Sequence, residues 1–184
     1  KSVALDFNEN WRNISQITSP FTFDLGELDM KYDIPDIFGT NIEFNGGVFE
    51  FVAQHLISIE NPVFLKKDLG LISNSSDFAF DKVNVENSVK MTSNKAISIG
   101  TLEIERDSSV LLKSTTSRIN SLNMGVGADL NGQDLLQINT ALFNFSFEKF
   151  PYVTANRLVA SNLIFNYINE TITDPSNFIG IRHN

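Results

Sequence analysis

Residues 97–112 read I-S-I-G-T-L-E-I-E-R-D-S-S-V-L-L, and this stretch decides the fold. It holds three short blocks of alternating apolar residues: Ile97/Ile99, Leu102/Ile104 and Val110/Leu112. Alternation with period two places one set of side chains on a single face of a strand. The first two blocks meet at Gly100-Thr101, and the charged, hydroxyl-rich run Glu105 to Ser109 separates the second from the third. Glycine and short polar residues at those points mark corners. One such stretch is three strands and two corners, a single circuit of a coil.

Working outward, the Leu102/Ile104 block recurs at Phe21/Phe23, Ile42/Phe44, Val63/Leu65, Val83/Val85, Leu122/Met124, Phe143/Phe145 and Leu163/Phe165. The Val110/Leu112 block recurs at Leu28/Met30, Phe49/Phe51, Leu69/Leu71, Val89/Met91, Leu130/Gly132 and Phe150/Tyr152. The Ile97/Ile99 block recurs at Asp36/Phe38, Ile57/Ile59, Phe78/Phe80, Ser117/Ile119, Leu136/Ile138 and Asn156/Leu158. A fixed period of about 20 residues with strand alternation inside it is the signature of a solenoid. The expected fold is all-β: a right-handed parallel β-helix of about eight coils, ~20 residues each, with three strands per coil. Its handedness follows the general rule for parallel crossovers. At the ~4.8 Å spacing of paired strands, eight coils make a rod about 40 Å long.

A leucine-rich repeat is the rival solenoid, because I-G-T-L-E-I (99–104) and I-N-S-L-N-M (119–124) mimic its leucine pattern. That fold has one strand per repeat and a buried asparagine at a fixed later position. Three alternating blocks and no invariant asparagine argue for the β-helix. The β-helix spans 21–167. Residues 1–20, with Trp11, Ile14 and Ile17 at helical spacing, are expected to cap the first coil. Residues 168–184, with Pro175, Phe178 and Ile179, either cap the last coil or continue the stack. Bare terminal coils invite pairing with other chains, which is why capping is expected.

Composition narrows the function classes. The chain has 184 residues, 42% hydrophobic, with 16 phenylalanines, no cysteine and a formal net charge of −8. Nucleic-acid binding leaves a basic footprint, and the acidic balance here excludes that partner class. Disulfides, thiolate metal sites and a cysteine nucleophile are excluded outright. No apolar run approaches the ~18–20 residues of a membrane-spanning helix, so no transmembrane segment is expected. His55 and His183 stand in no metal-ligand spacing, and Tyr32-Asp33-Ile34-Pro35-Asp36 reads as turn chemistry. No catalytic residue, metal site or cofactor is predicted.

The string S-I-G-T-L-E-I-E-R-D-S-S-V-L-L (98–112) resembles coils of vacuolating-cytotoxin-type passengers. The repeat style over 21–165, with Asn/Ser-rich corners and no cysteine, is similar to bacterial autotransporter passengers and two-partner-secreted haemagglutinins. The resemblance implies a non-enzymatic rod or binding segment of a secreted or cell-surface protein, of the adhesin or toxin-passenger kind. Its implied location is extracellular or cell-surface, with the periplasm as alternative. Its implied partners are a host or cell-surface glycan or protein, or flanking segments of a longer chain.

Binding candidates come from the outward positions. Lys66, Lys67 and Arg106 belong to a mixed-sign ridge along one corner, suited to a glycan or a charged partner. Phe64, Leu111 and Ile164 are large apolar residues on faces otherwise expected to be solvated, which calls for a covering segment or partner. Asn84, Asn123 and Asn144 share one outward line interrupted by Glu103, and read as a partial amide ladder. Two other functions remain open. A β-helix polysaccharide lyase or hydrolase needs carboxylates clustered on neighbouring coils. A periplasmic lipid-carrying groove needs a splayed apolar cleft.

Overall fold

A computed structural model describes the backbone of residues 77–169 continuously and, before them, the strands between Phe21 and Ser73. Side chains are described for residues 70–73 and 77–169. The strands are β1 Phe21–Asp24, β2 Asp29–Ile34, β3 Ile37–Thr40, β4 Ile42–Asn45, β5 Gly47–Ala53, β6 Leu56–Leu65 and β7 Leu69–Ser73. They continue as β8 Asp77–Val85, β9 Ser88–Ser93, β10 Ala96–Ile104, β11 Ser109–Lys113, β12 Thr116–Met124, β13 Asp129–Phe145 and β14 Tyr152–Tyr167. No helix occurs among the described residues.

Each strand pairs in parallel with its counterpart about 20 residues on. One side of the stack runs β1-β4-β6-β8-β10-β12-β13, and the other returns β13-β11-β9-β7-β5-β2. The long strands each hold two apolar blocks joined at a bend. In β10, Ile97 and Ile99 lie over Phe78 and Phe80, then Leu102 and Ile104 lie over Val83 and Val85. Gly100, between them, is skipped by the ladder and marks the corner. β11 carries the third block, with Val110 and Leu112 over Val89 and Met91.

The inward rows make one continuous core. Phe78, Val83, Met91, Ile97, Leu102 and Leu112 are fully buried. Burying such a side chain contributes roughly 1.5–3 kcal/mol. Within β8 the burial alternates exposed-buried along the strand, as period-two packing of one face requires. Gly132 interrupts an otherwise apolar row for a steric reason. A Cβ there would lie 2.9 Å from the Leu136 Cβ, so Leu136 already fills the space.

The regular stack amounts to about five turns, fewer than the eight expected. These are β6–β7, β8–β9, β10–β11, β12 with the start of β13, and the rest of β13 with the start of β14. Earlier in the chain the two blocks fall on separate four-residue strands, β3 and β4. The register there also differs from the repeat: Ile37 pairs with Ile57, where Phe38 was expected to share its row with Ile59.

Towards the end, the spacing of the blocks changes. Phe143 stands over Met124, two residues from its expected place over Leu122. The corner at 146–151 is then long, closed by Ser146 N–H donating to the Lys149 carbonyl. The next strand therefore starts late. Val153 and Ala155 pair with Leu130 and Gly132, in place of the expected Phe150 and Tyr152, which are exposed. Leu158 and Ala160, rather than Asn156 and Leu158, lie over Leu136 and Ile138. The expected cap at 1–20 lies outside the described residues, as does the terminal segment beyond Asn169.

Candidate functional site

The corner between the second and third blocks is built from stacked turns. Ser108 N–H donates to the Glu105 carbonyl, and Ala128 N–H repeats the bond to the Gly125 carbonyl one coil on. Asp107 and Gly127 occupy equivalent positions, with φ of 56° and 71°. Left-handed backbone of this kind favours glycine, and aspartate is among the few other residues that tolerate it. Gly127 has a second reason to lack a side chain. A Cβ there would come within 2.4 Å of the Asp107 Oδ1 and 3.1 Å of the Lys149 Cδ. The glycine leaves a passage through which Lys149, two coils from Asp107, places its Nζ 2.7 Å from that oxygen.

Arg106 projects from the same corner and is exposed, its Nε 3.6 Å from the Asp107 Oδ2. The Lys149 hydrogen bond holds the Asp107 carboxyl below its ordinary range; desolvation opposes it, and the charges of Lys149 and Arg106 reinforce it. In the described part of the expected mixed-sign ridge, Arg106 and Lys149 thus both pair with Asp107. Lys66 and Lys67 lie outside the described residues.

Outward rows run along the stack axis. Asn166 Nδ2 donates to Asn144 Oδ1 at 2.9 Å, and Asn144 Nδ2 donates to Asn123 Oδ1 at 2.9 Å. The ladder expected through Asn123 and Asn144 is present and gains Asn166. Its earlier end is interrupted at Glu103, which stands between Asn84 and Asn123 in the register. A carboxylate has no proton to give, and the buried Asn84 Oδ1 has no hydrogen-bond partner. Glu103 pairs instead with Lys82, 3.0 Å away.

A second polar strip covers the face formed by the Ile97/Ile99-type block. Arg118 Nε donates to Gln137 Oε1 at 3.1 Å, and Asn139 Nδ2 donates to Asn120 Oδ1 at 3.2 Å. A shallow groove of about 320 Å³ runs over these four side chains and reaches Val159 and Ser161. The sequence reading missed this strip. Its signal was the recurrence of long polar side chains at outward positions 118, 120, 137 and 139.

The apolar candidates do not converge. Leu111 is half-buried on β11, between Lys90 and Asn131 in its row. Ile164 is 52% exposed on β14, in the row of Leu142 rather than Asn144. Phe64 lies in β6 with Glu43 and Asn84 as register partners, and its side chain is outside the described set. The larger apolar feature lies at the end of the described stack. A cavity of about 370 Å³ opens there, walled by Phe143, Phe145, Phe150, Val153, Leu163 and Phe165. Phe143 and Phe165 stack with ring centres 5.4 Å apart. It is the coil interior continued to the surface.

Among the described residues no three His, Asp or Glu side chains are grouped to hold a metal ion. No helix among them is long and apolar enough to cross a membrane. The chain matches no family model, no curated protein and no solved structure.

Proposed function

We propose that this chain is a non-enzymatic rod and binding segment of a secreted or cell-surface protein, of the adhesin or toxin-passenger kind. In this reading the stack is a right-handed β-helix with three strands per coil, and its partner is a cell-surface glycan or protein. The observation that carries it is the polar strip of Arg118, Gln137, Asn120 and Asn139 above a shallow groove. Amide and guanidinium groups repeated at the coil spacing offer matched donors and acceptors to the hydroxyls of an extended saccharide. The inward rows fix their spacing, so the face is preorganised and little side-chain freedom is lost on binding.

The test is binding of the purified chain to a glycan array and to intact cells, repeated with the Arg118→Ala/Gln137→Ala double variant. Both substitutions lie on an outward face and leave the core rows untouched. The expected result is saturable binding that the double variant weakens tenfold or more. Unchanged binding by the variant would move the site elsewhere on the rod. Release of unsaturated uronide from an acidic polysaccharide would overturn the reading in favour of a lyase.

A further inference from the structure

Among the described residues β14 is the outermost strand of the stack and pairs on one side only, with β13. Natural proteins blunt such edges with lysine, proline, bulges or short strands. β14 has none of these: it runs for 16 residues, Y-V-T-A-N-R-L-V-A-S-N-L-I-F-N-Y, with Arg157 as its single charge. The nine large apolar side chains that are strongly exposed among the described residues all lie between Phe147 and Tyr167. Seven of them lie on β14 itself, and at about half exposure each leaves roughly 100 Å² in water, about 700 Å² together. Summed over both sides of the strand, that area is close to one side of a standard protein interface.

The arrangement of β14 also says what covers it. Its inward residues, identified by the rows they stand over, are Val153 and Ala155, then Leu158 and Ala160, then Leu163 and Phe165. Breaks fall at 156–157 and 161–162, where the strand turns its corners. These positions are symmetric about Val159. If a second β14 runs antiparallel with Val159 facing Val159, inward residues meet only inward residues and corners meet corners. Phe165 then faces Val153, Leu163 faces Ala155, and Leu158 faces Ala160, each a large side chain against a smaller one. Arg157 faces Ser161, so the only charge on the strand meets no like charge.

We infer that two copies of this chain join end to end through antiparallel pairing of their β14 edges, about a twofold axis at Val159. The axis crosses the middle of the 157–160 face and exchanges the two flanking faces. A three-sided coil superposes on itself under that operation. The two open ends close into one continuous core, and the cavity behind Phe165 is filled by the partner's equivalent residues.

The test is the solution mass of the full chain by sedimentation equilibrium, with two cysteine variants. The chain has no cysteine of its own, so an introduced thiol is unique. The expected mass is twice the 20.6 kDa of the chain. In the dimer the two Val159→Cys residues have Cα atoms about 4.5–5.5 Å apart, within disulfide range, so mild oxidation gives a covalent dimer. Thr154→Cys, which faces Ile164, does not cross-link. Val159→Lys, on an exposed side chain, opposes two ammonium groups at the axis and returns the mass to the monomer's with an unchanged β-sheet spectrum. A monomer at 100 µM overturns the inference. So does a dimer that survives Val159→Lys, or a series of masses growing with concentration, which means head-to-tail assembly.

Discussion

Leu111 and Leu112 are neighbours in sequence with opposite fates, and truncating each to alanine separates them. Leu112 is fully buried on the inward row, over Met91 and beneath Gly132. Leu111 is half-buried on the outward face between Lys90 and Asn131. A buried Leu→Ala change costs roughly 2–5 kcal/mol, the upper part where the cavity cannot collapse. Around Leu112 collapse is hindered, because the hydrogen-bonded rows on either side fix the coil spacing and Gly132 has no side chain to move in. A loss of about 3–4 kcal/mol is expected there. Leu111 has part of its surface in water already, so its truncation should cost under about 1 kcal/mol. Urea unfolding followed by far-ultraviolet circular dichroism reads the difference as a midpoint shift at constant slope. With slopes of about 2 kcal/mol per molar, Leu112→Ala moves the midpoint down by about 1.5–2 M and Leu111→Ala by less than 0.5 M. Equal shifts, or the larger one at Leu111, would refute the inward-outward assignment and the coil register with it.

Two further substitutions test the outward rows and the corner. Glu103→Asn replaces the carboxylate that interrupts the amide line with a donor for the orphaned Asn84 Oδ1, at the cost of the half-buried Lys82 pair at the surface. Satisfying a buried acceptor outweighs a surface ion pair, so the variant should gain about 1 kcal/mol in the same unfolding assay, and a loss contradicts the ladder. Asp107→Asn keeps a residue tolerant of positive φ but removes the charge that Lys149 holds. Because the folded Asp107 pKa is depressed, its contribution is present above the ordinary value of 3.8 and is lost as pH falls through the folded value. The parent should exceed the variant in urea midpoint at pH 6 and converge with it at pH 2, whereas a gap that persists in acid excludes the charge as its cause.

The period and the inward-outward alternation were legible because each is a property of neighbouring residues. Ile97, Ile99, Leu102, Ile104, Val110 and Leu112 lie over the residues that the repeat assigned to them. What could not be read was how much chain each corner absorbs. In A-L-F-N-F (141–145), a shift of two residues leaves every side chain on the same face, so the pattern fits Phe143 over Leu122 or over Met124 equally well. The structure takes the second, and the same degeneracy displaced Asn156/Leu158 to Leu158/Ala160. The move from Phe150/Tyr152 to Val153/Ala155, by contrast, is three residues, changes the face, and is taken up by the long corner at 146–151. Shifts of two preserve the core while moving the outward rows. That is why Ile164, not Asn166, was placed beside Asn144; Asn123 itself pairs with Leu142, and Asn144 reaches it diagonally from the next row position. The end cavity was invisible for another reason: Phe143 and Phe165 read as ordinary core, and only the next layer decides whether they are.

That last point ties the end of the rod to its stability. In a solenoid each coil contacts only its neighbours, so stability is close to a sum of coil terms and interface terms. The coil through β10 and β11 has a partner above and below, and its inward side chains are buried. Among the described residues the coil through β14 has one interface, and Leu163 and Phe165 are 51% and 66% exposed. Its inward residues are no less apolar than those of β10, so its deficit comes from the lack of a second layer among the described residues and not from its own composition. Whatever lies against β14 therefore supplies a full interface term to a strand already in register to receive it. A partner that provides inward side chains at the spacing of Val153, Ala155, Leu158, Ala160, Leu163 and Phe165 completes the core without moving the coil. A partner lacking that spacing buries the same area but leaves voids in a core held apart by its hydrogen-bonded rows.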